Sequence, residues 1–362
     1  GWRGSWGFIG GDLGVWVWGG GGGWWGIRLV RWRVFFLGVV AFDLFYTVFL
    51  NTISLEITPF NLAVCVVLAV GIGVGVGEVV KWCEGRAAGV VRVLKVGCGV
   101  IPLLLLVLNY RASDQSENTT AYEHAVNVFR TAEPGAVVFI EGDNHFFPVL
   151  YGRIVERMRE DLTLYERHNI LFKMPEAVRG VEARSVLWEE KRNEMEKRII
   201  TTNREKTFYY AVFGPYAIDL PVAHELVPEA FLHRVFRGGE EIHRARMNPP
   251  WKYYSTESFY GGFERDYMNR EVRAYHFFDR GKALILSGQT SAGLTLMKRA
   301  RDVGYNDNVL HSDMAVFLTD HGFFEEARLS LERALLYHED LSDHYNNWGY
   351  YYHKIGKHEE AV

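Results

Sequence analysis

Three apolar runs near the start of the chain constrain its fold more than any other feature. They extend from Val34 to Leu50, from Pro59 to Val80 and from Leu94 to Leu108, and each contains a single charged residue. A helix needs about 20 mostly apolar residues to cross roughly 30 Å of hydrocarbon, and each run reaches or approaches that length. The sequence therefore predicts three transmembrane helices within residues 34–109.

Basic residues orient these helices. Three arginines lie between residues 28 and 33, and four Lys or Arg residues surround the loop after the second run, whereas residues 51–58 contain none. Because cytoplasmic loops are enriched in Lys and Arg, the third helix is expected to exit outward. We therefore expect a multi-pass integral membrane protein whose soluble residues, 110–362, lie in the periplasm or lumen.

Composition narrows the choice of partners. The chain has a formal net charge of -4, which lacks the basic surplus that a nucleic-acid backbone demands. Its three cysteines, Cys65, Cys83 and Cys98, have no metal-ligand spacing, and we expect no metal site.

Residues 1–33 form a Gly/Trp-rich segment of uncertain structure that begins without Met. We interpret the chain as part of a longer protein.

The polar part of the chain opens with alternating helix and strand patterns. Apolar residues at helical spacing predict a helix at Ala121–Thr131, and β-branched runs predict strands at Ala136–Ile140 and Leu162–Tyr165. Between the strands, Phe147–Arg159 is predicted to be helical. This β-α-β pattern favours an extracytoplasmic α/β domain over residues 110–250.

Three polar residues, Asp143, Asn144 and His145, follow the first predicted strand. Ligands of such domains usually bind at the carboxyl ends of strands, so these residues are candidates for substrate binding. Alternatively, Asp143 or Asn144 caps the helix by accepting hydrogen bonds from its free N–H groups. Both interpretations remain open from the sequence.

The next segment contains weaker patterns. A charged stretch at Glu176–Arg198 is typical of a solvated helix, residues 207–214 read as a strand, and Asp219–Pro228 reads as a polar connection. Residues 251–273 form an aromatic-rich connector. Its rings can stack on sugars, or they can attach one domain to its neighbour.

The end of the chain repeats with a period of 34 residues. Gly288, Gly322 and Gly356 have this spacing, and Glu325-Glu326-Ala327 recurs as Glu359-Glu360-Ala361. Small residues at fixed positions let paired helices approach closely, which is typical of tetratricopeptide repeats. We predict about three such repeats over residues 274–362, the last of them incomplete.

Residues 109–169 resemble a family of membrane glycosyltransferases of the GT-C type, catalogued as domain of unknown function 2723 and including a protein O-mannosyltransferase. The matching pieces are Asn109-Tyr110 with Asp114, Gly142-Asp143-Asn144, Phe147-Pro148, Tyr151, Arg159 and Asp161. Where the family has Arg-Pro-Asp-Val, this chain has Arg159-Glu160-Asp161-Leu162, which is a partial match.

The resemblance implies transfer of a sugar from a polyprenyl-phosphate-linked donor to an extracytoplasmic acceptor, with protein O-mannosylation as one such reaction. The substrate-binding candidates are Asp143, Asn144, His145, Tyr151, Arg159 and Asp161. In this family the catalytic acid lies in an early outward loop. It is therefore expected upstream of residue 1, and residues 1–362 alone are expected to be inactive.

The expected fold is a multi-domain membrane protein with transmembrane α-helices, an α/β soluble unit and an α-helical tetratricopeptide repeat array. Its expected partners are the lipid bilayer, a lipid-linked sugar donor, and an acceptor or partner protein bound to the repeats. The alternative to an enzyme is a membrane-anchored repeat protein that recruits partners without catalysis.

Overall fold

The computed structural model describes residues 30–46, 62–84, 88–174, 186–213, 218–238, 253–260, 267–337 and 342–361. This part of the chain is mostly helical and contains a small mixed sheet of five strands. The chain divides into two compact units, Gly1–Gln115 and Ser116–Val362. Most of the Gly/Trp-rich segment, residues 1–29, lies outside the described residues.

The helices of the first unit are α1 (Val30–Phe45), α2 (Leu62–Cys83) and α3 (Ala88–Ser113). The described residues of each of the three predicted membrane segments are thus mostly helical. Among the described residues, two stretches are long and apolar enough to cross a membrane: Ala63–Cys83 in α2 and Gly89–Tyr110 in α3. The apolar stretch of α1, Val34–Asp43, is shorter.

The second unit begins with an α/β part. Its elements are α4 (Thr120–Thr131), β1 (Val137–Ile140), α5 (Asp143–Ile154), β2 (Thr163–Glu166), α6 (Val186–Thr202), β3 (Phe208–Ala211), β4 (His224–Glu229) and β5 (Leu232–Arg237). The sheet has the order β2-β1-β3-β5-β4. Central β1 pairs in parallel with β2 and β3, whereas β5 is antiparallel to both β3 and β4.

The structure contradicts two predictions in this part. The helix predicted at Phe147–Arg159 runs from Asp143 to Ile154. Residues 219–228 were predicted to be a polar connection, but β4 occupies the second half of that range and forms a hairpin with β5. Its position explains the error. As the last strand in the sheet order, β4 is partly exposed along its length, so its composition is polar.

Apolar side chains cover both faces of the sheet. All four residues of β1 are buried, which is typical of a central parallel strand. Val138 and Ile140 pack with residues of α4 and α5, while Val137 and Phe139 pack with residues of α6. The sheet is therefore the middle layer, and α5 is held at the carboxyl end of β1.

Five α-helices follow in the described part of the chain. They are α7 (Tyr267–Leu286), α8 (Thr290–Val303), α9 (Asn308–Asp320), α10 (Phe324–Tyr337) and α11 (Ser342–Lys354). The first four form two pairs, α7 with α8 and α9 with α10. Gly288, Gly322 and Gly356 follow α7, α9 and α11, with φ angles of 88°, 78° and 79°. Only glycine adopts this left-handed conformation without steric cost. The 34-residue spacing thus corresponds to a repeated backbone turn.

Small residues hold the first pair together. A Cβ added at Gly281 on α7 would lie 3.1 Å from the carbonyl oxygen of Gly293 on α8. The same approach recurs two periods later, where a Cβ at Gly349 would lie 3.0 Å from the carbonyl oxygen of Ala361. The close contact therefore repeats with the sequence period.

Candidate functional site

A cavity of about 510 Å³ lies among α4, α5 and α7 in the second unit. Its volume is within the range of about 300–1,000 Å³ that is usual for small-molecule sites. The lining residues are Asn118, Ala121, Tyr122, Asp143, Asn144, Phe147, Pro148, Tyr151, Met268, Asn269 and Val272.

The start of α5 places its polar residues at the cavity. Gly142 occupies the N-cap position with φ 86° and ψ 140°, a conformation that costs other residues free energy. The capping interpretation of Asp143 and Asn144 was therefore wrong, because both residues lie inside the first helical turn. Asp143 is exposed there, and its carboxylate is favoured by the helix dipole.

Helical periodicity divides α5 into two faces. Asn144, Phe147, Pro148 and Tyr151 have the spacing i, i+3, i+4, i+7, and all four line the cavity. The face next to it packs on α4 at Gly152, where an added Cβ would lie 2.7 Å from Phe129 Cε2. The close approach at Gly152 holds two cavity walls at a fixed separation.

A polar pair joins α5 to α7 beside the cavity. The amide Nδ2 of Asn144 donates a hydrogen bond to Glu271 Oε2, and Asn144 is 8% exposed. Its Oδ1 has no hydrogen-bond partner among the described residues. Burial, reinforced by the charges of Asp307 and Asp143, raises the pKa of Glu271 to about 7. Glu271 therefore exchanges a proton near neutral pH.

Aromatic side chains form a further part of the cavity lining. Tyr122, Phe147 and Tyr151 line it, and their exposed fractions are 45%, 54% and 48%. The Tyr151 hydroxyl donates to Glu156 Oε1 at 3.0 Å, and this hydrogen bond raises the pKa of Tyr151. Three rings thus remain accessible to a ligand.

The third predicted residue of the β1–α5 turn, His145, points into the core. His145 is 3% exposed, and its Nδ1 lies 2.8 Å from Nε2 of His124. Its ring packs on Phe213 with centroids 3.9 Å apart. Burial, followed by the charges of His124 and His233, lowers its pKa well below the usual value. His145 is therefore a neutral packing residue, and it does not line the cavity.

Arg159 and Asp161 form a structural clasp away from the cavity lining. The Arg159 guanidinium donates to the carbonyl oxygens of Ala132 at 2.9 Å and Glu133 at 3.1 Å, just after α4. It also pairs with both carboxylate oxygens of Asp161 at 2.8 Å. This hydrogen bonding, together with the Gly135 N–H, lowers the pKa of Asp161. The clasp fixes the end of α4.

A second charged cluster lies at the carboxyl edge of the parallel strands. Arg167, 2% exposed, pairs with Glu196 at 2.7 Å and with Glu141. The Tyr210 hydroxyl donates to Glu196 Oε2 at 2.9 Å. Two carboxylates thus balance the buried guanidinium, as a buried cation requires, and the cluster connects β2 to α6.

The structure therefore brings together three of the six predicted site residues: Asp143, Asn144 and Tyr151. Five further residues at or beside the cavity had no predicted site role: Tyr122, Phe147, Asn118, Asn269 and Glu271. The i, i+3, i+4, i+7 pattern on α5 would have revealed Phe147. Comparison of the chain with protein-family models, curated proteins and solved structures finds no match.

Proposed function

We propose that this chain belongs to a membrane glycosyltransferase of the GT-C type, which transfers a sugar from a polyprenyl-phosphate-linked donor to an extracytoplasmic acceptor. The observation that carries the proposal is the cavity at the start of α5. Asp143, Asn144 and Tyr151 line it, and these residues belong to the part of the sequence that resembles that family.

The apolar helices support a membrane location. Leu103, Leu106 and Leu108 on α3 are 64%, 64% and 68% exposed. Exposing such side chains to water forfeits about 25 cal/mol for each Å² of apolar surface, whereas lipid solvates them. With the topology favoured by the basic residues, the second unit faces the compartment in which the proposed transfer occurs.

The cavity residues have binding roles in this proposal. Asp143 and Asn144 offer carboxylate and carboxamide groups to ligand hydroxyls, and Tyr122 and Tyr151 offer ring faces. Glu271 holds Asn144 in place through its hydrogen bond. The bond-making step is not assigned to any of these residues.

Replacing Asp143 by Asn tests the proposal. Transfer of radiolabelled sugar from a polyprenyl-phosphate donor is measured in membranes whose own copy of the protein has been exchanged for the variant. Loss of the Asp143 charge should lower transfer at least tenfold, about 1.4 kcal/mol of transition-state stabilisation, with an unchanged melting temperature. Asp302→Asn on the exposed side of α8 is the matched control. Equal transfer by the two variants would contradict a role of Asp143 in substrate binding.

The repeated helix pairs favour a second candidate, a membrane-anchored tetratricopeptide repeat protein that recruits a partner without catalysis. Its support is the recurrence of the glycine turn and of the close helix contact at 34-residue spacing. In that case, removing the protein would leave sugar transfer unchanged. Crosslinking from the helix pairs would instead capture the same partner in wild type and in Asp143→Asn.

A further inference from the structure

The rings of the cavity offer apolar faces together with polar edges. Tyr122 lies on α4, and Phe147 and Tyr151 lie on α5 one turn apart. Each ring is about half exposed, so a ligand can cover the face that is now open. Aromatic faces favour flat apolar surfaces, such as the C–H face of a pyranose.

Side-chain amides supply hydrogen bonds beside these rings. Asn118, Asn144 and Asn269 line the cavity from three different elements. The buried Oδ1 of Asn144 has no hydrogen-bond partner among the described residues, and such an atom is costly unless a ligand or water donates to it. A carboxamide both donates and accepts, which suits the hydroxyl groups of a sugar.

The charge of the site disfavours an anion. Neither lysine nor arginine lines the cavity within the described part of the chain. A helix N-terminus commonly binds phosphate, but at the start of α5 the Asp143 carboxylate already lies in the first turn. Glu271 lies behind Asn144 and adds further negative charge when ionised. A phosphate at this position would therefore meet repulsion, and among the described lining residues there is no lysine or arginine to offset it.

We infer that the cavity among α4, α5 and α7 binds a neutral sugar ring and excludes the phosphate-bearing end of the donor. This inference rests on the proposed function and deepens it, because it makes the cavity a site for a carbohydrate portion of the acceptor. The ring stacks on Tyr122 and Tyr151, and its hydroxyl groups bond to Asn144 and Asp143.

Binding of small probes to the complete chain in lipid nanodiscs tests the inference. The probes are methyl α-mannopyranoside, methyl α-glucopyranoside and mannose 1-phosphate, and binding is followed by saturation-transfer NMR with titration. At least one neutral pyranoside should bind, and mannose 1-phosphate should bind at least tenfold more weakly. Tyr122→Ala should weaken pyranoside binding at least fivefold, while Tyr122→Trp, which keeps a ring, should retain it.

Tyr345→Ala provides the matched control, because Tyr345 is an exposed tyrosine on α11 and should leave binding unchanged. Three results would overturn the inference: absence of pyranoside binding, equal binding by wild type and Tyr122→Ala, or tighter binding of mannose 1-phosphate. Selective binding of an unglycosylated Ser/Thr peptide in place of the pyranosides would also overturn it and assign the cavity to protein.

The binding assay contains no polyprenyl-linked donor and no transfer step, so a failure of the inference and a failure of the proposed function give different results. Pyranoside binding without protein-dependent transfer in membranes would support the carbohydrate site and contradict the proposed enzymatic function. Transfer without pyranoside binding would support the proposed enzymatic function and contradict the carbohydrate site.

Discussion

Replacing Gly293 by alanine should loosen the contact between α7 and α8. An added Cβ would lie 2.5 Å from Ile285 Cγ1 and 2.8 Å from the carbonyl oxygen of Gly281. Both separations are shorter than real Cβ contacts, so the helices must move apart. Overpacking of this kind costs about 1–3 kcal/mol, and the better helix propensity of alanine offsets about 1 kcal/mol. Because one of the clashing atoms is a backbone carbonyl oxygen, the upper end of this range applies, and we expect a net loss of about 2 kcal/mol.

Gly281→Ala is the matched control on the facing helix. Its added Cβ would meet the Gly293 oxygen at 3.1 Å and the flexible Met297 side chain at 3.2 Å. Small adjustments suffice there, so the steric cost and the helix-propensity gain should nearly cancel. The next pair has Ala315 and Ala327 at the same positions, which indicates that the architecture accommodates two methyl groups when the helices are spaced for them.

Native-state hydrogen exchange of the α8 amides measures this difference in the complete chain. A loss of about 2 kcal/mol corresponds to roughly thirtyfold faster exchange for Gly293→Ala, while Gly281→Ala should exchange within about twofold of wild type. Wild-type protection in Gly293→Ala would refute the steric argument. It would show that α7 and α8 can separate at no cost.

Three further predictions use the same method. Arg159→Gln should remove the ion pair with Asp161 and speed exchange at the end of α4 by about tenfold or more, without altering ligand binding in the cavity; a binding defect would contradict the structural role. Gly142→Ala should destabilise the start of α5 by about 1–3 kcal/mol through backbone strain alone, because nothing lies within 4 Å of the added Cβ; unchanged exchange there would exclude this strain. Burial lowers the pKa of His233 to about 4. Between about pH 6.5 and 4 the unfolded chain therefore binds a proton at His233, whereas the folded chain does not. Folding stability is lost as the pH falls through this range. His233→Gln should therefore lose about 1.4 kcal/mol less than wild type between pH 7.5 and 5.5, and parallel pH profiles would refute the shift.

Local patterns predicted elements whose environment is uniform along their length. Val137–Ile140 is buried on both faces, so its run of β-branched and aromatic residues predicted a strand. The 34-residue period predicted the positions of the glycine turns. The edge strand His224–Glu229 was missed because polar residues and Pro228 surround its two apolar residues, Leu226 and Val227. Burial that varies without a regular period gives no such pattern.

The position of one helix start explains much of what was missed at the cavity. The sequence predicted that the helix begins at Phe147, whereas α5 begins at Asp143. With the correct start, Asn144 and Phe147 fall on one face and His145 on the other. The partners on α7 had no such local signal, since Glu271 lies 127 residues beyond Asn144. Only the packing of α4, α5 and α7 brings them together.

Residues 253–260 belong to the region that was interpreted as a connector, yet they are bonded along α4. Asn127 both donates to and accepts from the Ser255 backbone, and Glu123 accepts from the Ser258 N–H and hydroxyl. Residues 253–260, which lie between the sheet and the paired helices in the sequence, therefore stabilise α4, the first helix of the second unit. A chain cut before residue 253 would therefore lose these hydrogen bonds to α4. The helical array cannot be exchanged at that boundary without changing the α/β part.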